Sequence, residues 1–193
     1  MTGVIILAAG ASTRLGRQKQ TLQYKGKTLL QHAIQAALDL PAQPIIVVTG
    51  YERYAIYGGT EKGITQVVNE HWHTGMASSI RCGMQAILAL QPLLQQVIVM
   101  LCDQPFVTGK ILSMLVEERQ SSGKPIVACA YNNTIGAPVL FTTACFTALM
   151  ALSGQEGARK LIQQHSTDVA QVPFAKGAID IDTPEDADQL MKM

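Results

Sequence analysis

The 193-residue chain can bury one substantial core and is short for two domains with a linker, so a single domain over residues 1–193 is expected. A 48% hydrophobic fraction with 15% charged residues describes a compact globular protein, and a formal net charge of +1 leaves no electrostatic footprint for nucleic acid. Cys82, Cys102, Cys129 and Cys145 are too dispersed for a Cys-x-x-Cys zinc pair or a disulfide framework, which favours buried thiols in a reducing cytoplasm.

Val4 to Ala9 is a continuous β-branched apolar run, the pattern of a strand buried on both faces of a parallel sheet. It lacks a basic segment before it and ends in glycine rather than a cleavage site, so a secretory leader is not expected. A polar stretch, Gly10 to Lys27, leads to a helix over 29–38 capped by Thr28. Ile45 to Gly50 repeats the buried-strand pattern, and Ile64 to Val68 gives a shorter strand after the Gly58-Gly59 break. Helices are expected over Met76 to Leu90 and Gly109 to Arg119, flanking a strand over Val97 to Cys102, and a further strand covers Ile126 to Cys129. Pro138 to Phe141 reads as an edge strand, Cys145 to Leu152 and Gly157 to His165 as helices, and Pro184 to Met191 as the last helix. The alternation of strand and helix predicts a three-layer αβα fold around a mostly parallel twisted sheet, whose ligands bind beyond the carboxyl ends of its strands. No apolar run reaches the roughly 20 residues of a bilayer-spanning helix, so a soluble, cytoplasmic protein without membrane or nucleic-acid partners is expected.

Two strand ends carry candidate chemistry. Leu7 to Lys19, directly after the first strand, combines two glycines, two hydroxyls (Ser12, Thr13) and three cations (Arg14, Arg17, Lys19). Glycine lets backbone approach an anion, free amides can cradle phosphate oxygens, and the cations supply opposing charge. Five residues rather than four separate Gly10 from Gly16, and Arg17 follows, so this is no Walker A loop; the dinucleotide pattern G-x-G-x-x-G is absent too. A solvated turn with surface cations is the competing reading. Asp103 follows the strand ending at Cys102, presenting a carboxylate where a magnesium ion can share it with waters and phosphate oxygens. The alternative is a turn aspartate before Pro105.

Near the end of the chain, Asp180, Asp182, Glu185 and Asp186 surround a helix start at Thr183-Pro184, where Glu185 and Asp186 suit the first helical turn. Asn69 to Ile80 leads from a strand into a helix, with Gly75, Ser78 and Ser79 at its opening. His71 and His73 read as solvated loop histidines and Trp72 as core.

The loop pattern L-A-A-G-x-S-x-R-x-G-x-x-K resembles the signature of the molybdenum-cofactor nucleotidyltransferases, within the MobA-like NTP transferases. Leu15 stands where methionine is usual, and Ala9 looks like the cytidylyltransferase branch rather than the guanylyltransferase branch, which generally carries glycine there. The resemblance implies a Rossmann-like nucleotide-diphospho-sugar transferase fold. In it Leu7, Ala8, Ala9, Gly10, Ser12, Gly75, Ser78 and Ser79 bind the nucleotide, while Arg14 and Lys19 stabilise charge during transfer. Cys102 to Pro105 is similar to the family's metal-binding segment, and Asp182, just before T-P-E-D, matches its second ligand position, so Asp103 and Asp182 are expected to hold Mg2+, with Mn2+ as a substitute. Asp180 stands beside them.

Asn69 to Ser79 resembles N-P-x-W-x-x-G-M-x-S-S, with Glu70 in place of proline. Gly136 to Phe141 and Gly154 to Arg159 resemble acceptor-side segments, which makes Gly136, Pro138 and Arg159 acceptor candidates; Gln155 replaces an acid common there. The implied reaction moves CMP from CTP onto the terminal phosphate of a molybdopterin-type cofactor and releases pyrophosphate, with a molybdoenzyme or its chaperone as a further partner. Rival readings are a same-fold transferase using GTP or acting on a sugar or isoprenoid-precursor phosphate, and a non-catalytic molybdenum-cofactor chaperone.

Overall fold

The computed structural model describes residues 1–50, 63–155 and 157–193; Gly58, Gly59 and Glu156 lie outside the described residues. Its strands are β1 (Thr2–Ala8), β2 (Gln23–Tyr24), β3 (Lys27–Thr28), β4 (Ile45–Thr49), β5 (Ile64–Val68), β6 (Gln96–Leu101), β7 (Ile126–Tyr131), β8 (Thr134–Thr142) and β9 (Val169–Pro173). The helices are α1 (Leu29–Leu38), α2 (Met76–Leu90), α3 (Gly109–Ser122), α4 (Phe146–Met150), α5 (Ala158–Gln164) and α6 (Pro184–Leu190). Among the described residues no helix is long and apolar enough to cross a membrane.

Seven strands form one sheet in the order β5-β4-β1-β6-β8-β7-β9, while β2 and β3 make a separate hairpin. Strands β5, β4, β1 and β6 run parallel, β8 is antiparallel to both its neighbours, and β9 is parallel to β7. Alternate side chains of β1 face opposite layers, as the two-residue period of a strand requires. Val4, Ile6 and Ala8 pack with residues of α1 and α3, whereas Ile5 and Leu7 pack with α2, α4 and α5. The three-layer, mostly parallel architecture expected from the alternation is therefore present, and burial on both faces explains why β1, β4 and β6 read as unbroken apolar runs.

One strand assignment needs correction. Pro138 to Phe141 is not an edge: it belongs to β8, which lies between β6 and β7. The interior place is tolerated because Ala137 and Pro138 fall in an irregularity of the β7–β8 ladder, where pairing passes from Ala128–Val139 to Cys129–Gly136. A proline in a bulge leaves no ladder bond missing. The real edge on that side is β9, a short strand in which Val172 alone is buried and the other four residues are partly or fully exposed. The helix expected over Cys145 to Leu152 is shorter, a 3-10 turn over Thr143–Cys145 followed by α4.

The chain runs outward from β1 to β4 and β5, then returns to the other side of β1 as β6. Strand order reverses there, and the crevice beyond the carboxyl ends of β1 and β6 is where this class of sheet takes ligands. Leu7 sits beside Leu101 in register, and the Cys102 amide donates to the Leu7 carbonyl at 3.2 Å. The segments leaving the two strands, the glycine loop and Asp103, therefore begin side by side.

Candidate nucleotide and metal site

The glycine loop is fixed from below. Leu15 is buried against Ile181, Ala187 and Leu190, in a small cluster that joins the loop to the C-terminal segment. Ser12 takes a left-handed φ of 51°, and its hydroxyl accepts from the Lys19 amide at 3.1 Å, closing the loop on itself. Gln20, 2% exposed, turns its Nε2 back to donate to the carbonyls of Ala8 (2.7 Å) and Gly10 (3.1 Å). Both partners are carbonyls, so the amide orientation is determined by chemistry.

This anchoring aims the cations at two carboxylates. Lys19 Nζ donates to Asp103 Oδ2 at 2.8 Å and to Asp182 Oδ1 at 2.6 Å, and Arg14 reaches the other oxygen of Asp182 at 3.1 Å. The Lys19 side chain is only 12% exposed and Arg14 is 73% exposed, so the lysine pair is the strong one and the arginine pair contributes under about 1 kcal/mol. Burial alone would lower the Lys19 pKa, but the Asp103 and Asp182 charges and hydrogen bonds outweigh it and hold the ammonium above its ordinary value. Partial burial, with repulsion from Asp103 and Asp182, pushes the Asp180 carboxyl up.

Asp103 Oδ1 is buried with no hydrogen-bond partner. A bare carboxylate oxygen out of water is costly, and it is the kind of hard donor a divalent cation takes. With Asp182 opposite, the donor set fits Mg2+ or Mn2+. Asp182 is held in place by a capping box: Asp186 Oδ2 accepts from the amides of Asp182 (3.1 Å) and Thr183 (2.8 Å) and from the Thr183 hydroxyl (2.7 Å). Those bonds keep the Asp186 carboxyl below its ordinary range.

The opposite wall is the start of α2. Asn69, buried at the end of β5, donates from Nδ2 to Ser78 Oγ (2.8 Å) and Ser79 Oγ (3.0 Å), and its Oδ1 accepts from the His71 amide at 3.0 Å. Gly75 has φ 119°, and a Cβ there would run into the Gly154 carbonyl, so only glycine lets the 152–155 segment sit against α2. That segment carries Gln155 into the cleft.

The resulting cleft of about 560 Å³ brings together Leu7, Ala9, Gly10, Arg14, Lys19 and Gly75 with Ser79, Asp103, Asp180 and Asp182. Ala8, Ser12 and Ser78 do not line it. Ala8 faces the core and gives its carbonyl to Gln20, Ser12 braces the loop, and the Ser78 hydroxyl is spent on the carbonyls of His71 and Gly75. Trp72 packs on the core and also lines the cleft beside the exposed His73. The acceptor candidates lie apart. Arg159 lines a second cavity of about 800 Å³ and reaches the Thr134 hydroxyl at 3.4 Å, Gly136 makes room for the Tyr131 hydroxyl, and Pro138 is in the β8 irregularity. Gln20 and Asn69 are the functional supports that sequence reasoning did not single out. Their signal is a carboxamide directly after the loop lysine and another at the end of a strand.

A glycine-floored cleft at a sheet reversal, with two cations and facing carboxylates, is the place where an α/β protein of this class takes an anionic ligand. The chain belongs to the family of the MobA-like NTP transferase domain, whose model matches residues 4–169. It is 27% identical to the molybdenum cofactor cytidylyltransferase of Escherichia coli (94% of this chain, 91% of the relative). It is 25% identical to the purine catabolism protein PucB of Bacillus subtilis (97% and 95%). Among solved structures, Rv0371c of Mycobacterium tuberculosis superposes with a TM-score of 0.83 at 27% identity over 100% of this chain and 98% of that one. A manganese complex of Rv0371c superposes at 0.78, with 24% identity over 99% and 98% of the two chains.

Proposed function

We propose that the protein transfers CMP from CTP to the terminal phosphate of a molybdopterin-type cofactor. The observation that carries the reading is the Lys19 ammonium shared between Asp103 and Asp182 beneath the glycine loop. A phosphoryl-transfer site needs positive charge and oxygen ligands for a divalent cation within one phosphate's reach of each other. In the proposed complex the backbone of Gly10 and its neighbours cradles the triphosphate, and Lys19 and Arg14 turn from the carboxylates to the phosphate oxygens. Asp103 and Asp182 would hold Mg2+, which would offset phosphate charge when bound.

An acceptor phosphate oxygen attacks the α-phosphorus, the bond from that phosphorus to the bridging oxygen breaks, and pyrophosphate leaves with the electron pair. The acceptor phosphate is already ionised, so positioning matters more than a general base. The 800 Å³ cavity opens at β7, β8 and β9, on the far side of β8 from Asp103, and could house the remainder of a bulky acceptor against Arg159. CTP is favoured by Ala9 on the cleft wall and by the cytidylyltransferase relative.

A panel of CTP, GTP, ATP and UTP against molybdopterin-type, sugar and isoprenoid-precursor phosphates, read by pyrophosphate release with Mg2+ or Mn2+, tests this. Preference for CTP with the pterin acceptor is expected. Preference for GTP or for another phosphate replaces the assignment with a same-fold transferase, and tight cofactor binding without pyrophosphate makes the protein a carrier.

A further inference from the structure

We propose that Gln104 is a positioning residue that sets the distance between Asp103 and Asp182. It rests on the reading of those two carboxylates as the metal and phosphate site, and not on the identity of donor or acceptor. Gln104 follows Asp103 directly and is 5% exposed. Its Nε2 donates to the Ala137 carbonyl of β8 at 3.1 Å and to the Gly177 carbonyl at 3.0 Å. Since both acceptors are carbonyls, the amide nitrogen must face them, and the side chain has one orientation.

These bonds join three segments beside the carboxylates: the turn after β6, the middle of β8, and the stretch leading to Asp180 and Asp182. A third bond closes the frame, from the Ile181 amide to the Asp103 carbonyl at 3.2 Å. Asp182 is one residue beyond that bond, and Gly177 is four before Ile181. The position of the Asp182 carboxylate relative to Asp103 is therefore framed on one side by Gln104 and on the other by the Asp186 cap. Gln104 Oε1 has no partner although it is buried. The cost of burying that oxygen would be avoided by an apolar side chain, so packing alone does not account for glutamine here.

The test uses Gln104→Met, which keeps length and volume but loses both bonds, and Gln104→Asn, which keeps the amide but is one methylene too short to reach both carbonyls. The first readout is a crystal structure of each variant. Separation of Asp182 from Asp103, with Lys19 retaining only one carboxylate, is expected; unchanged positions in a folded variant overturn the proposal. The second is Mn2+ affinity, followed by electron paramagnetic resonance in the presence of a non-hydrolysable CTP analogue. At least tenfold weaker Mn2+ binding is expected, with affinity for the metal-free nucleotide within twofold of the parent. Equal loss of both, or of neither, contradicts a positioning role. If Gln104→Met does not fold, Gln104→Asn decides by the same readouts. A parent protein that binds neither nucleotide nor Mn2+ would remove the proposed function, while the crystal structures would still decide whether Gln104 sets the spacing.

Discussion

Replacing Lys19 by methionine removes the charge that holds two carboxylates together and keeps most of the side chain's volume. Lys19 Nζ lies 2.8 Å from Asp103 and 2.6 Å from Asp182. Without it, two anions on the order of 5 Å apart face each other at an effective dielectric near 20, a repulsion of roughly 3 kcal/mol. Asp182 is 31% exposed and keeps Arg14 as a partner, so the net loss falls below the roughly 3 to 5 kcal/mol of a fully buried pair. Lys19→Met is therefore expected to unfold at clearly lower urea than the parent. It is also expected to bind Mn2+ at least about tenfold more tightly in the absence of nucleotide, because the cation no longer competes with an ammonium for the same oxygens. Nucleotidyl transfer should fall by at least about 100-fold, the loss typical of removing a preorganised charge from a transition state.

The pH dependence follows from the same pair. A raised folded pKa means the contribution is complete below the ordinary value of 10.5 and disappears as pH rises through the higher folded value. The parent should thus lose urea resistance above about pH 10.5 while Lys19→Met does not show that fall. Equal urea midpoints for the two proteins at neutral pH, with no gain in Mn2+ affinity, would refute the reasoning.

Three further outcomes are expected. Gly75→Ala forces a left-handed φ on alanine and drives its Cβ into Gly154, so thermal unfolding should fall by the equivalent of about 1–3 kcal/mol, with weaker nucleotide binding as the 152–155 wall shifts. Asn69→Leu strips the donor from the Ser78 and Ser79 hydroxyls; about 1–3 kcal/mol of stability should be lost, and the KM for nucleoside triphosphate should rise more than kcat falls. Asp186→Ala removes the N3 half of the capping box that holds Asp182 and should lower the melting temperature at neutral pH. Because the Asp186 pKa is depressed, that difference from the parent is present above its ordinary value of 3.8 and shrinks as pH falls through the lower folded value, which acid titration of both melting temperatures will register.

The central half of the sheet and the glycine loop were legible in the order of residues, because these are local. A strand buried on both faces must be apolar throughout, and a loop that approaches phosphate must carry glycine and cations within a few residues. The sequence also marked Asp103, since a carboxylate directly after a buried strand is legible as a local pattern, whereas Asp182 was marked only by the resemblance of the segment before Thr183-Pro184 to the family's second ligand position. It misplaced β8 as an edge, because Pro138 is incompatible with an inner strand unless the neighbouring strand supplies an irregularity, and nothing in the order of residues shows which strand that is. The packing of the folded chain is what puts Lys19 between Asp103 and Asp182, braces the two walls through Gln20 and Asn69, and ties β6 to β8 and to the C-terminal segment through Gln104. These are contacts between residues separated by 12 positions for Gln20 and Ala8 and by 163 for Lys19 and Asp182. Their directions depend on how the strands are ordered and how the loops are pinned by packing, which no single stretch of chain encodes.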